Sequence, residues 1–211
     1  MNPSPPSDLR AVIFDLDGVL LDSRQANEAF YNHILEVLGL PPMSPADVEV
    51  VHRESMEGSL RHLVGEGEKY EAALAYWREM DPTPFIRRLR LFPGAHDTLA
   101  RLRRHLPLAV ATNCTKTTAQ VLEHLRLAPY FQVVVTPLEA GVPKPDPRVL
   151  RCTLQRLGLE PRQVVYVGDS SVDESLCRAG GVRLVAFRNP ALAAWAHIDD
   201  LLRLPPLLGL E

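Results

Sequence analysis

Short apolar runs typical of buried β-strands alternate along most of this chain with segments whose apolar residues recur at helical spacing. The strand-like runs cover residues 11–15, 108–112, 133–135, 164–168 and 183–187. Helical spacing is clearest over residues 149–157, and Gly158 directly after them favours a helix end. Strands that alternate with helices form a parallel sheet covered by helices on both faces. The sequence therefore predicts an α/β fold built on a parallel sheet.

One long interval has no strand-like run and carries helix start signals instead. It extends from Ser23 to about Arg90, and its clearest start is Ser44 followed by Pro45. Serine is a favoured cap residue, and proline is favoured at the first helical position. We therefore predict an α/β core over residues 1–22 and 91–211, with an inserted helical cap domain over residues 23–90.

Composition excludes several classes of partner. Of the 211 residues, 46% are hydrophobic, which is enough for a packed core, and no apolar run approaches the ~20 residues of a membrane span. The net charge of −3 provides no basic surface for nucleic acid. The three cysteines lack metal-site spacing and fit a reducing compartment. With no signal-peptide pattern at the N-terminus, we expect a cytoplasmic protein that binds neither nucleic acid nor membrane.

Polar residues follow the strand-like runs at the points where the strands end. Asp15 and Asp17 follow the first run, Thr112 the second, Lys144 lies in the loop after the third, and Asp169 follows the fourth. Each has an ordinary alternative as a turn, cap or solvated loop residue. The carboxyl ends of parallel strands share one edge, so we expect these side chains to converge. Two acids, a hydroxyl, an ammonium and a further acid predict a site for a phosphate and a divalent cation.

These residues carry a family resemblance. Their positions fall in four groups in chain order: Asp15-Leu16-Asp17-Gly18-Val19, Thr112, Lys144 and Gly168-Asp169-Ser170-Ser171-Val172-Asp173. In them the chain resembles the haloacid dehalogenase-like hydrolase superfamily, in the subgroup with a helical cap inserted after the first strand. The resemblance extends from Val12 to about Phe187. It implies a Rossmann-like core with the first strand in a central position.

The resemblance also implies a role for each motif residue. Asp15 would be the nucleophile that forms an aspartyl-phosphate, and Asp17 would serve as general acid and then general base. Thr112 would hydrogen-bond a phosphate oxygen. Lys144 would offset the charge of the nucleophile and of the transferring group.

A magnesium site is implied by the same motifs. Mg²⁺ would be held by the Asp15 carboxylate, the backbone carbonyl of Asp17 and the Asp169 carboxylate. Asp173 would lie in this ligand shell or just behind it. Mg²⁺ is therefore the expected cofactor.

Within the superfamily, two branches are similar to this chain. The second aspartate of the first motif, Asp17, separates phosphoryl-transfer enzymes from dehalogenases. The phosphoglycolate phosphatase-like and β-phosphoglucomutase-like branches remain. Met56 stands where the mutases keep an arginine, Arg53 where they keep a loop glycine, and Asn27 where they keep a histidine. The Thr112-Asn113 pair resembles the phosphatase branch better.

We therefore predict a Mg²⁺-dependent phosphatase that hydrolyses a small phosphorylated metabolite through an aspartyl-phosphate. The alternatives are a phosphomutase of the β-phosphoglucomutase type and a non-catalytic module that binds a phosphorylated ligand. Candidate substrate-binding residues are Asn113 beside the phosphate site and His52 and Arg53 in the cap. For Arg53 a solvated surface position is an equal alternative. A monomer and a homodimer are both compatible with the sequence.

Overall fold

The structure is a computed structural model that describes residues 4–52 and 54–210. The chain divides into two compact units. One unit comprises the residues up to Leu21 together with those from Leu91 onward, and the other comprises Asp22–Arg90.

Most strands of the first unit belong to one sheet. In chain order, the strands are β1 Ala11–Phe14, β2 Leu21–Asp22, β3 Arg90–Leu91, β4 Leu108–Ala111, β5 Phe131–Val135, β6 Val164–Gly168, β7 Arg183–Phe187 and β8 Ala196–Ile198. Within the described residues, six of them form a sheet in the order β5-β4-β1-β6-β7-β8, and every neighbouring pair is parallel. The predicted parallel α/β sheet with a central first strand is confirmed.

The central strands are buried on both faces. Every residue of β1, β4 and β6 is buried, as expected for parallel strands covered by helices on either side. The sequence did not predict β2, β3 or β8, which have only two or three residues each. Runs this short carry too few residues to show a strand pattern.

Helices lie between the strands of this unit and after the last of them. They are α6 Ala95–Arg103, α7 Thr118–His124, α8 Pro137–Ala140, α9 Arg148–Leu157 and α10 Ser171–Gly180, with α11 Leu204–Leu207 after β8. Val149, Leu150 and Leu154 of α9 pack into a core cluster with residues of the sheet. The helix ends at Gly158, whose φ of 69° is left-handed, and this confirms the helix end predicted there.

The second unit is helical. Its helices are α1 Arg24–Val37, α2 Pro45–Val51, α3 Met56–Val64, α4 Glu68–Glu79 and α5 Thr83–Ile86. The Ser44 side chain accepts a hydrogen bond from the backbone N–H of Asp47, and the Asp47 carboxylate accepts one from the backbone N–H of Ser44. This reciprocal cap confirms the helix start predicted at Ser44. Ile34, Leu60 and Ala73 are among the buried residues that form the unit's own core.

The chain passes between the units at two neighbouring points. The boundaries fall after Leu21 and after Arg90, inside β2 and β3 respectively, and these two strands pair with each other. The insertion therefore leaves and rejoins the α/β chain through one two-stranded ribbon.

Two further features concern the chain as a whole. Cys114, Cys152 and Cys177 are unpaired, as expected in the absence of a disulfide framework. Within the described residues, none of the helices combines the length and the apolarity that a membrane crossing requires.

Candidate active site

The ends of the central strands bring the motif residues to one edge of the sheet. Asp15 directly follows β1, Thr112 follows β4, and Asp169 follows β6. The backbone N–H of Asp15 donates to the Val167 carbonyl at 2.9 Å, so the first residue past β1 continues the pairing with β6. The nucleophile candidate is therefore fixed at its backbone by the ladder of the central sheet.

A buried lysine joins two of the carboxylates. Lys144 Nζ lies 2.7 Å from Asp15 Oδ2 and 2.8 Å from Asp173 Oδ1. Asp15, Lys144 and Asp173 are 7%, 5% and 0% exposed. Burial acts to lower the pKa of Lys144, but the two carboxylates outweigh it and hold that pKa above its ordinary value. Lys144 is therefore a permanent cation facing Asp15.

Three carboxylates form a cluster with the geometry of a cation site. Asp15, Asp169 and Asp173 each offer an oxygen, and these atoms lie within 4.8 Å of one another. Burial raises the pKa of Asp15 to about 7, against the opposing effect of Lys144. Burial and the nearby Asp15 and Asp173 raise the pKa of Asp169 to about 8. Hard oxygen donors that repel one another fit a small divalent cation, which would stabilise all of them as carboxylates.

Both oxygens of Asp173 are engaged by other groups of the protein. Oδ1 accepts from Lys144 Nζ and lies 3.0 Å from the Tyr166 hydroxyl, while Oδ2 accepts from the backbone N–H groups of Asp169 and Ser170 and from Ser170 Oγ. Burial acts to raise the pKa of Asp173, but Lys144 and these hydrogen bonds hold it below its ordinary value. Asp173 therefore anchors Lys144 and the turn that carries Asp169.

Asp17 and Thr112 lie in the turns at the same edge. Asp17 is half-buried and is not one of the three clustered carboxylates, and the backbone N–H of Gly18 beside it donates to the Leu21 carbonyl at 2.9 Å. Thr112 is 1% exposed, and its Oγ1 accepts from the backbone N–H of Cys114 at 3.1 Å. The hydroxyl hydrogen of Thr112 can therefore still be donated to a ligand.

Gly18 lies against Asp169. Its φ is +77°, and a Cβ at this position would lie 2.1 Å from Asp169 Oδ2. In Gly18→Ala, the left-handed backbone alone is expected to lower the free energy of unfolding by about 1–2 kcal/mol. The loss should be larger than this, because Asp169 must also move to make room for the Cβ. Gly158→Ala is the matched control, because Gly158 has a φ of +69° and open space around it. Urea denaturation of both variants measures the difference, and equal losses would contradict the close approach.

Three side chains support the site through contacts that the sequence did not predict. Asn113 accepts from the backbone N–H of Lys144 at 2.7 Å and donates to the Lys144 carbonyl at 3.3 Å. Both ends of this amide, predicted to bind substrate, are thus occupied by main chain. The Tyr166 hydroxyl contacts the Lys144 ammonium at 3.0 Å, and Asn189 Nδ2 donates to the Asp169 carbonyl at 2.8 Å. Tyr166 and Asn189 carry no local sequence signal for these contacts.

The remaining candidates belong to the helical unit. His52 directly follows α2 and is half-buried, and its Nδ1 has no hydrogen-bond partner within the described part of the chain. Arg53 lies outside the described residues.

Comparison with known proteins identifies relatives along most of the chain. The family described as haloacid dehalogenase-like hydrolase matches residues 12–187. A phosphoglycolate phosphatase of Pseudomonas aeruginosa is 34% identical over 84% of this chain and 68% of its own length. A phosphoglycolate phosphatase of Yersinia pseudotuberculosis is 33% identical over 96% of this chain and 94% of its own length.

A solved structure extends the likeness to the fold. A hydrolase of the same superfamily (subfamily IA, variant 1) from Geobacter sulfurreducens has a TM-score of 0.79. It is 32% identical, with 98% of this chain and 99% of the other covered. These matches confirm the predictions of the family, of its α/β fold and of a phosphatase. The chain belongs to the haloacid dehalogenase-like hydrolases.

Proposed function

We propose that this protein is a Mg²⁺-dependent phosphatase that transfers the phosphoryl group of a small substrate first to Asp15 and then to water. The observation that carries the proposal is the buried Asp15 carboxylate, paired with Lys144 at 2.7 Å and clustered with Asp169 at the carboxyl edge of the sheet. A carboxylate held in this way has a fixed orientation and a neighbouring positive charge that attracts an anionic substrate.

In the first half-reaction, an Asp15 oxygen attacks phosphorus in line with the leaving group. The new bond joins the Asp15 carboxylate to phosphorus, and the bond from phosphorus to the substrate oxygen breaks. Asp17 donates a proton to that oxygen, so that the product leaves as an alcohol. Thr112 donates its hydroxyl hydrogen to a phosphoryl oxygen, and Lys144 offsets the negative charge.

In the second half-reaction, water attacks the phosphorus of the aspartyl-phosphate. Asp17, now a carboxylate, accepts a proton from this water, and the bond between phosphorus and the Asp15 oxygen breaks. Inorganic phosphate leaves, and the Asp15 carboxylate is restored. Asp17 thus acts as acid and base in turn, which requires it to remain free of the carboxylate cluster.

The carboxylates of Asp15 and Asp169 are the proposed ligands of Mg²⁺, with the Asp17 carbonyl as a third and Asp173 behind them. The bound cation supplies Lewis-acid stabilisation of the phosphoryl oxygens. The raised pKa values of Asp15 and Asp169 support this assignment, because burial and the neighbouring carboxylates disfavour the charged forms that a bound cation would stabilise.

For the substrate, we propose a small phosphorylated carboxylic acid, with 2-phosphoglycolate as the first compound to assay. The support is the name shared by relatives of 33–34% identity. The helical unit is proposed to act as the cap, with His52 and Arg53 binding the non-reacting end of the substrate. The unpartnered Nδ1 of His52 is consistent with a ligand contact.

Phosphate release from a panel of phosphorylated metabolites tests the proposal. The panel includes 2-phosphoglycolate, β-glucose 1-phosphate and an aryl phosphate, each assayed with Mg²⁺, after treatment with a chelator, and after Mg²⁺ is added back. We expect turnover that the chelator abolishes and Mg²⁺ restores. Full activity after exhaustive metal removal would contradict the metal assignment, and formation of glucose 6-phosphate would instead support the mutase.

A further inference from the structure

Lys144 is held at its main chain by the side chain of one residue. Asn113 Oδ1 accepts from the Lys144 N–H at 2.7 Å, and Asn113 Nδ2 donates to the Lys144 carbonyl at 3.3 Å. The two bonds pair a side-chain amide with the N–H and the C=O of one residue, much as a neighbouring strand would. Asn113 itself directly follows Thr112 at the end of β4, so Lys144 is tied to the edge of the sheet.

The other end of Lys144 is held by a tyrosine that lies inside the sheet. Tyr166 is on β6 and is 0% exposed, and its hydroxyl accepts from Lys144 Nζ at 3.0 Å. The hydroxyl hydrogen has two acceptors in reach, the Ala111 carbonyl at 2.8 Å and Asp173 Oδ1 at 3.0 Å. Ala111 ends β4, which lies on the far side of β1 from β6. The hydroxyl therefore connects both flanking strands to the ammonium.

A lysine side chain has a long flexible stem, so an ammonium without such contacts occupies many positions. Here the main chain and the ammonium are both fixed, and Nζ lies 2.7 Å from Asp15 Oδ2. Stabilising charge that is already oriented needs no rearrangement during the reaction.

We propose that Asn113 and Tyr166 are positioning residues that direct Lys144 Nζ onto Asp15. The proposal rests on the proposed function, since the reaction is what the placement of Lys144 serves. It reassigns Asn113 from substrate contact to the support of Lys144, and it adds a residue, Tyr166, that lies outside the four motif groups. Neither residue touches the reacting atoms, so both act through Lys144.

Tyr166→Phe and Asn113→Ala test this in steady-state kinetics. Tyr166→Phe removes a single oxygen that bonds the Lys144 ammonium, and we expect it to lower kcat roughly ten- to a hundredfold, the scale of a lost hydrogen bond to a charged group. Asn113→Ala removes two hydrogen bonds to neutral main-chain groups of Lys144, and we expect it to lower kcat roughly tenfold. KM should change by no more than about threefold, because substrate contacts remain. Tyr130→Phe is the matched control, since its hydroxyl bonds His96 elsewhere in the same unit, and it should keep wild-type kinetics.

A double-mutant cycle shows whether the two residues act through Lys144. In a Lys144→Met background, Tyr166→Phe and Asn113→Ala should have no further effect on hydrolysis of an aryl phosphate. Losses that multiply with that of Lys144→Met would overturn the proposal, as would unchanged kcat in the single variants. A higher KM with unchanged kcat for Asn113→Ala would also overturn the proposal for this residue, because it would indicate that Asn113 binds substrate.

Crystal structures of the two variants separate this inference from the proposed function. Phosphatase activity of the wild-type protein tests the function, whereas the position of Nζ tests the inference even in an inactive protein. In each variant Nζ is expected to leave its 2.7 Å contact with Asp15 Oδ2 or to become disordered. An unchanged contact in both variants would show that Asp173 alone suffices and would overturn the proposal.

Discussion

Asp15→Asn is expected to abolish turnover, with kcat lowered by about 10⁴-fold or more, the scale of losing a covalent nucleophile. The variant should still fold. Asp15 is buried and its pKa is raised to about 7, so the neutral amide relieves a desolvation cost, while Lys144 keeps Asp173 as its partner. Phosphate release, the Tm and the mass of the intact protein after incubation with substrate are the measurements. The wild-type protein should carry a phosphate adduct and the variant none.

Asp17→Asn is the matched control for this prediction. It makes the same chemical change two residues away, at a side chain outside the carboxylate cluster. Because Asp17 is proposed to move protons in both half-reactions, its loss should slow both of them. A substrate with a good leaving group should then leave phosphorylated Asp15 to accumulate. A phosphate adduct mapped to any residue other than Asp15 would contradict the assignment of the nucleophile.

Lys144→Met is expected to lower kcat on the order of 10³-fold, since a preorganised charge beside the transferring group is lost. Its effect on folding is also large. Methionine retains the volume of the stem but leaves Asp15 and Asp173 as neighbouring buried carboxylates without their cation. Breaking a buried ion pair in this way costs about 3–5 kcal/mol. Urea denaturation in metal-free buffer measures the loss.

The stability of Lys144→Met should depend on pH, and the same two carboxylates determine the direction of the change. Without Lys144, the pKa of buried Asp15 should rise further above its ordinary value of 3.8. A raised carboxylate pKa destabilises the fold as pH rises from the unfolded value through the folded value. As the pH falls from 8 to 5, the free energy of unfolding of Lys144→Met should therefore approach that of the wild-type protein. A constant difference across this range would contradict the explanation.

Arg148→Met provides the control for Lys144→Met. It also removes a cation from an ion pair, with Asp146, but the Arg148 side chain is 55% exposed. Exposed pairs contribute little to stability because water and salt screen them. We expect Arg148→Met to keep wild-type kinetics and a nearly unchanged midpoint of urea denaturation. The contrast between the two variants therefore isolates the effect of burial.

The positions of Asp15, Thr112 and Asp169 were predictable from the sequence because they depend on one rule of parallel sheets. Each residue directly follows an apolar strand, and the carboxyl ends of such strands share an edge. The strands themselves were predictable because burial on both faces requires continuous apolar runs. β8 was missed because Ala196–Ile198 has only three residues, and its pairing with β7 rather than its own sequence makes it a strand.

The contacts that hold Lys144 were beyond the sequence for a different reason. Tyr166 and Asn113 are 22 and 31 residues from Lys144 along the chain, so the contacts exist only in the folded protein. A tyrosine in an apolar strand is usually a core residue, and nothing in the sequence around Tyr166 indicates that its hydroxyl contacts Lys144. Asn113 was predicted to contact substrate because it adjoins Thr112. In the structure its amide bonds the main chain of Lys144, a contact that no local sequence pattern indicates.

The ribbon of β2 and β3 has a consequence for how this chain can change over generations. Paired strands lie about 4.8 Å apart, so the inserted helices begin and end at almost the same point. The entropy of closing such a loop grows only slowly with its length. Insertions, deletions and substitutions within Asp22–Arg90 are therefore expected to leave the register of the six-stranded sheet unchanged. Selection can vary the helical unit while Asp15 and its neighbours stay fixed.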